Sequence, residues 1–392
     1  NSGSDDGRGN ESRDEAAGMS GSLMNFAVPA GGGGDPPDCP IIQPPAWLKG
    51  GHLPTIFPAL FGQHFLTHRP IFCRERVATP DDDFLDLDWL MAPGGLHGEV
   101  SPPTSPPAML VLFHGLEGSS KSPYAQFFGE IAGAYGWDYV VVHFRGCSGE
   151  INRRPRAYHS GDEAEIDWIL ATLGARLRPQ QRLLAVGISL GGNALMRWAG
   201  AKGQSVRAAG LRLAAAAAIS SPLDLAASGQ SIDQGLNRWL YARHFLGTMV
   251  KKARAKHAQY PGLFDLAAVE RATTLRAFDN AFTAPLHGFA DVDDYWKRAS
   301  AKPVLPGVAI PALIVNACND PFVPVGSLPT EKEVGRYVSI WRPSLGGHVG
   351  FPSLSTMPGR TRLTLSVIPR AVCDWLATAA DLPYPSGDFE RP

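Results

Sequence analysis

Short continuous apolar runs recur along the chain, separated by segments whose apolar residues repeat at helical spacing. "AMLVLFHG" (108–115), "DYVVVHF" (138–144), "RLLAVGIS" (182–189), "PALIVNACND" (311–320) and "RYVSIWRPS" (336–344) read as strands buried on both faces. "LRLAAAAAISSP" (211–222) reads as a strand built from small residues. Between them, 123–135, 162–173, 193–200 and 367–379 predict helices, the first with a proline in its opening turn. This alternation predicts an α/β fold: a mostly parallel central sheet with helices on both faces. Upstream, "IFCRERVATPDDDFLDLDWLMA" (71–92) predicts two strands joined by a turn at Pro80-Asp81-Asp82-Asp83, followed by the Gly/Pro-rich connector "PGGLHGEVSPPTSPP".

Two stretches break the rhythm. Residues 1–38 are rich in Gly, Ser and Asp and predict a disordered tail, with 1–18 as tag or upstream sequence before Met19. Residues 223–304 are helical in character, aromatic and basic ("LNRWLYARHFLGTMVKKARAKH"), and fall between two sheet strands. They predict a cap above the strand ends, where ligands bind in open α/β sheets, with the core at 41–222 and 305–380.

Composition narrows the function more than the fold. The 392 residues carry a formal net charge of −1, so no basic excess favours nucleic acid as a partner. Five scattered cysteines without C-x-x-C spacing argue against a disulfide framework or zinc site and fit a reducing, cytoplasmic setting. The longest bland apolar run, Leu213–Ile219, is far short of the roughly 20 residues that span a bilayer. Peripheral membrane contact through the basic-aromatic cap stays open, and so does the oligomeric state.

Candidate chemistry centres on "LLAVGISLGGNALMRW" (183–198). Ser189 stands between Gly187 and Gly191, after a buried-type strand and before a helix. That is the context of a nucleophile elbow, in which a strained strand-to-helix turn exposes the serine hydroxyl and the flanking glycines remove colliding side chains. The alternative is a small-residue bend. The elbow predicts an acid and then a histidine on later loops, and Asp320 and His348 stand in that order, the latter in the glycine-flanked "LGGHVGF". His143, His159, His244, His257 and His287 fit the order or the position less well. An oxyanion hole would come from the amides of Leu190 and, in "FHGLEGSS", Leu116, with His114 shaping the loop.

With these residues in view the chain resembles the α/β-hydrolase superfamily, and more narrowly the YheT-type hydrolases of predicted esterases and acylglycerol lipases. The likeness runs from about Pro44 to the last helix and includes "GGHLPTIFPAL", "LFHGLEGSSKSPYAQ", "VVHFRGCSGEINRRPRAYHSGD", "GISLGGNALMRW", "LRAFDNAFTAPLHGFADVDDYW", "NACNDPFVP" and "GGHVGF". The resemblance implies a triad of Ser189, Asp320 and His348. Members often carry a second Asp where Asn319 stands, and usually Gln where Leu53 stands. Arg145, Arg153, Arg154 and Arg156 either bind an anionic group or sit in ion pairs within a packed loop.

The expectation is a serine hydrolase that cleaves small-molecule acyl esters of short or medium chain, or acylglycerols, without metal or organic cofactor. The same triad would serve a thioesterase, an amidase or an acyltransferase. A non-catalytic α/β-hydrolase-fold binding protein is the reading from a different class. Trp239, Tyr241, Phe245 and Phe264 either line an acyl pocket or pack the cap onto the core.

Overall fold

The structure, a computed structural model, describes residues 37–91, 106–208, 212–357 and 360–384. The expected tail, apart from its last two residues, and most of the Gly/Pro connector lie outside the described residues.

Among the described residues, eight strands form one sheet, in the spatial order Phe72–Ala78, Phe84–Leu90, Asp138–His143, Ala108–Phe113, Arg182–Ile188, Leu213–Ile219, Ala312–Val315, Val338–Trp341. β1 (Phe72–Ala78) and β2 (Phe84–Leu90) form the antiparallel hairpin expected around the aspartate turn. Arg74 faces Asp88 and Arg76 faces Asp86 across it, so the two buried carboxylates each meet a guanidinium, at 2.7 and 2.8 Å. β2 pairs antiparallel with β4 (Asp138–His143). From there, β3 (Ala108–Phe113), β5 (Arg182–Ile188), β6 (Leu213–Ile219), β7 (Ala312–Val315) and β8 (Val338–Trp341) continue in parallel.

Side chains along a strand alternate between faces, and the core divides accordingly. Val111, Phe113 and Ala185 pack toward α3 (Glu163–Gly174) and α4 (Leu190–Lys202), which contribute Ile166, Ile169, Leu195 and Trp198. Leu110, Leu112 and Val186 pack the other way, against α2 (Pro123–Ala134) and the closing helix Val367–Ala379 through Phe128, Val372 and Trp375. Ala216 and Ala218 of β6 keep the sheet surface low beneath α4.

α1 (His52–Phe61) and the hairpin of β9 (Ser353–Met357) and β10 (Arg360–Thr364) are elements the hydrophobic pattern did not announce. Between β6 and β7 the chain is helical, its longest helix being Arg243–Gln259, with π-helical turns at Arg238–Ala242 and Asp279–Thr283. Leu246, Phe264, Val269, Phe278 and Phe282 give this layer a core of its own. Among the described residues, no helix is long and apolar enough to cross a membrane.

Candidate active site

Ser189 occupies a turn that ordinary residues avoid. It lies between the last residue of β5 and the first of α4 at φ 50°, ψ −117°, and its amide donates to the Ile219 carbonyl of β6 at 2.8 Å. Such a conformation persists only where the surroundings enforce it. Three glycines permit the turn. A Cβ at Gly191 would lie 2.4 Å from the Phe113 carbonyl oxygen, and one at Gly187 2.4 Å from the Gly192 Cα. Gly192, which the sequence reading did not single out, is tighter still: its Cβ would meet Ser221 Oγ at 1.9 Å.

His348 follows β8 and lies over Ser189. The Ser189 hydroxyl donates to His348 Nε2 at 3.0 Å, and His348 Nδ1 donates to Asp320 Oδ2 at 2.8 Å. The other Asp320 oxygen accepts from the amides of Phe322 (2.7 Å) and Val323 (3.2 Å). This leaves one oxygen for the imidazole. Phe322 packs on the His348 ring with centroids 4.2 Å apart.

The support of His348 comes from a segment that the sequence reading quoted without giving it a role. Thr55 Oγ1 accepts from the His348 amide and donates to the Gly51 carbonyl, both at 2.8 Å. Asn319 Oδ1 accepts from the Gly347 amide while its Nδ2 donates to the Gly50 carbonyl. An aspartate at 319 could make the first bond but not the second. Ser220 Oγ accepts from the Val349 amide at 2.9 Å. The paired glycines at 50 and 51 were the only local signal of this clamp.

Leu116 and Leu190 both line the cavity beside Ser189. Leu190 is the first residue of α4, so its N–H has no acceptor within the helix. Among the described residues, neither amide donates to another protein group. His114 fixes the Leu116 side. Its Nδ1 donates to the Gly115 carbonyl at 2.7 Å, and its Nε2 accepts from the Phe144 amide at 3.1 Å. Because a trans peptide is planar, holding the Gly115 carbonyl to one side turns the Leu116 N–H to the other. Full burial lowers the His114 pKa to about 3, so this ring is neutral and structural.

The following residue, Glu117, has φ 56°. Its carboxylate accepts from Tyr158 at 2.7 Å and from Lys252 Nζ at 2.8 Å, and Lys252 belongs to the long cap helix. The cap is thereby tied to the loop carrying the Leu116 amide. Lys252→Met is expected to lower kcat at the Ser189 centre about 10-fold with little change in KM, and Lys252→Arg to restore most of it. Steady-state kinetics on the three proteins would check this.

None of the remaining candidate histidines touches Ser189. His143 binds Asp88 at 2.8 Å; His287 lies between the Thr283 and Ala157 carbonyls; His257 packs on Phe264. His159 lines the cavity but accepts from the Gly161 amide, and burial holds its pKa down at about 3. His244 lines the cavity from its exposed side, beside Phe245, without a hydrogen bond to Ser189 or His348. Cys147 lies 3.2 Å from Lys252 Nζ, and burial pushes its thiol up to about 11, which keeps it protonated.

Arg145 is buried and donates to Asp83 (2.8 Å), Asp81 (2.9 Å) and Glu165 (2.6 Å). Arg156 pairs with Asp162, Arg154 donates to the Asp81 carbonyl, and Arg153 lies over the Phe84 ring. The four aromatics of the cap divide. Tyr241 and Phe245 line the cavity, Phe264 packs inside the cap, and Trp239 is exposed.

The cavity holds about 680 Å³ and is walled largely by apolar groups from α1 and the cap, among them Ile56, Leu240, Phe278 and Phe282. Residues 108–350 match the family model described as alpha/beta hydrolase fold. Over 329 residues the chain is 38% identical to the Escherichia coli protein named "Putative esterase YheT", covering 83% of this chain and 90% of that protein. It is 29% identical to the Bos taurus phospholipase ABHD3, covering 80% of this chain and 74% of that one. It is 28% identical to a Saccharomyces cerevisiae monoacylglycerol lipase, covering 62% and 54%.

Proposed function

The chain belongs to the α/β-hydrolase fold family, and from that premise we propose that it is a serine esterase acting through Ser189, His348 and Asp320. The observation that carries this reading is the continuous contact from Asp320 through His348 to Ser189 at the wall of an apolar cavity. Its substrates are carboxylic esters of short or medium acyl chain, or acylglycerols. The apolar walls and the relatives named as esterase, phospholipase and monoacylglycerol lipase support that class.

The reaction is a two-step acyl transfer. With Nδ1 protonated toward Asp320, His348 Nε2 is free to take the Ser189 proton as Oγ attacks the ester carbonyl carbon. The oxygen of the tetrahedral intermediate takes the negative charge, which the Leu116 and Leu190 amides stabilise. Asp320 stabilises the imidazolium. The C–O bond to the alcohol then breaks, and Nε2 returns its proton to the departing oxygen. Water repeats the sequence on the acyl-enzyme, releasing the acid and restoring Ser189.

A fluorophosphonate probe should label the protein stoichiometrically, with the adduct mapped by mass spectrometry to the peptide containing Ser189. An adduct on another residue would overturn the assignment, and no labelling would favour a binding protein. Paired ester, thioester and amide substrates with one acyl group should show the ester preferred. A thioester or amide turned over faster, or transfer to an added alcohol outpacing hydrolysis, would move the enzyme to the corresponding class.

A further inference from the structure

α1 has two apolar faces, and only one is buried. Its inner face, Pro54, Thr55 and Pro58, packs beneath the His348 loop. Its outer stripe, Leu53, Phe57, Leu60 and Phe61, follows the i, i+4, i+7, i+8 spacing of one helical face. Leu53, Leu60 and Phe61 are 51%, 68% and 48% exposed, and Trp47, 54% exposed, packs edge-on against Phe57. Across the cavity mouth, the cap segment 235–242 presents Leu236, Trp239 and Leu240, 56%, 66% and 39% exposed. The two elements touch where His52 meets the Tyr241 hydroxyl at 3.1 Å. Leu60 and Leu240 line the cavity as well as facing solvent, so its apolar wall continues onto the surface between them.

Charge separates these stretches from the rest of a nearly neutral chain. No Asp or Glu occurs from 39 to 74 or from 234 to 264. Lys49, Arg69, Arg238, Arg243 and Lys251 are exposed along them, Arg243 lying over the Trp239 ring and Arg238 donating to Thr273. Lys252, Arg254 and Lys256 are engaged within the protein. Apolar side chains with tryptophan among them, borne on two stretches without acids and joined by exposed cations, are the features of a surface that settles on anionic lipid, Asp233 beside Arg238 being the acid at the edge of the cap stretch.

We propose that α1 and the segment 235–242 form a lipid-docking face around the cavity mouth, so that an ester passes from an anionic lipid surface into the cavity without crossing water. The proposal rests on the reading of the cavity as an acyl-ester site. Docking of a lipid surface here leaves Ser189, inside the cavity, untouched.

The test uses the full chain carrying Ser189→Ala, so that binding is measured without turnover. It should co-sediment with phosphatidylcholine vesicles containing one quarter phosphatidylglycerol, and bind pure phosphatidylcholine vesicles at least about 5-fold more weakly. The triple variant Phe61→Ser, Leu236→Ser, Trp239→Ser should lose about 10-fold or more in vesicle affinity. With Ser189 intact, it should hydrolyse a water-soluble short-chain ester within about 2-fold of the parent. Absence of vesicle binding, or equal binding by the triple variant, overturns the proposal. So does a dimer that the triple variant abolishes in a parent that ignores vesicles, because the face then serves a second copy. A protein that binds vesicles but hydrolyses no ester would sink the esterase reading alone.

Discussion

Ser189→Ala is expected to lower kcat for ester hydrolysis by about 10⁴- to 10⁶-fold, and His348→Ala, or both together, by about the same amount. The serine hydroxyl is inert unless the imidazole accepts its proton, so removing either group removes the same chemical event. Their effects therefore do not add. On the proposed mechanism, what remains is the rate supplied by binding and by the Leu116 and Leu190 amides. Ser189 is a strained residue at φ 50°, but alanine loses only the hydroxyl, so urea unfolding should be nearly unchanged. Single-turnover assays of the three variants would check the pattern. A double variant far slower than either single one would mean that serine and histidine act separately.

Asp83→Ala is expected to cost about 3 to 5 kcal/mol of stability at pH 7. Asp83 is 1% exposed in the turn before β2, and its carboxylate accepts from Arg145, from Asn152 Nδ2 at 2.7 Å, and from the amides of Phe84, Arg153 and Arg154. Alanine would strip all five donors of that acceptor and leave the buried Arg145 with Asp81 and Glu165 alone. Burial by itself would raise the Asp83 pKa. The hydrogen bonds from Asn152 and the three amides more than reverse this and bring it to about 2. A depressed folded-state pKa gives stability that is complete above the ordinary value near 3.8 and lost as pH falls through about 2. That contribution is roughly 2 kcal/mol, so the gap between parent and Asp83→Asn should narrow as urea titrations move from pH 5 to pH 2.5. A constant gap would show that the carboxylate's charge contributes nothing.

The sheet was legible in the sequence because its strands are short, continuous and apolar. The start of α4 was less so. Gly191 and Gly192 are poor helix formers and pushed the expected start to Asn193, whereas the helix begins at Leu190. Close approach of β3 and Ser221 demands glycine there, and that contact outweighs local propensity. The β9–β10 hairpin carries alternating polar residues and lacks an apolar run; part of its anchoring comes from Gln43, about 310 positions away. The clamp of Thr55 and Asn319 on the His348 loop consists of hydrogen bonds to backbone, which leave no hydrophobic period to read. The cap aromatics looked equivalent as a composition, yet tertiary packing sends Phe264 inward and Trp239 outward.

The same clamp sets an order in time. The turn at Ser189 is held by β3, β5, α4, β6 and Ser221, all complete by residue 221, while His348 follows Ser189 by 159 positions. At ribosomal rates of about 5 to 20 residues per second, roughly 8 to 30 s separate the emergence of serine and base. His348 then seats on Thr55, made 293 positions earlier, so the late loop closes on one of the first segments synthesised. On the proposed mechanism, a nascent chain with Ser189 already in its turn still lacks the base, and hydrolysis would begin only when early and late segments have met.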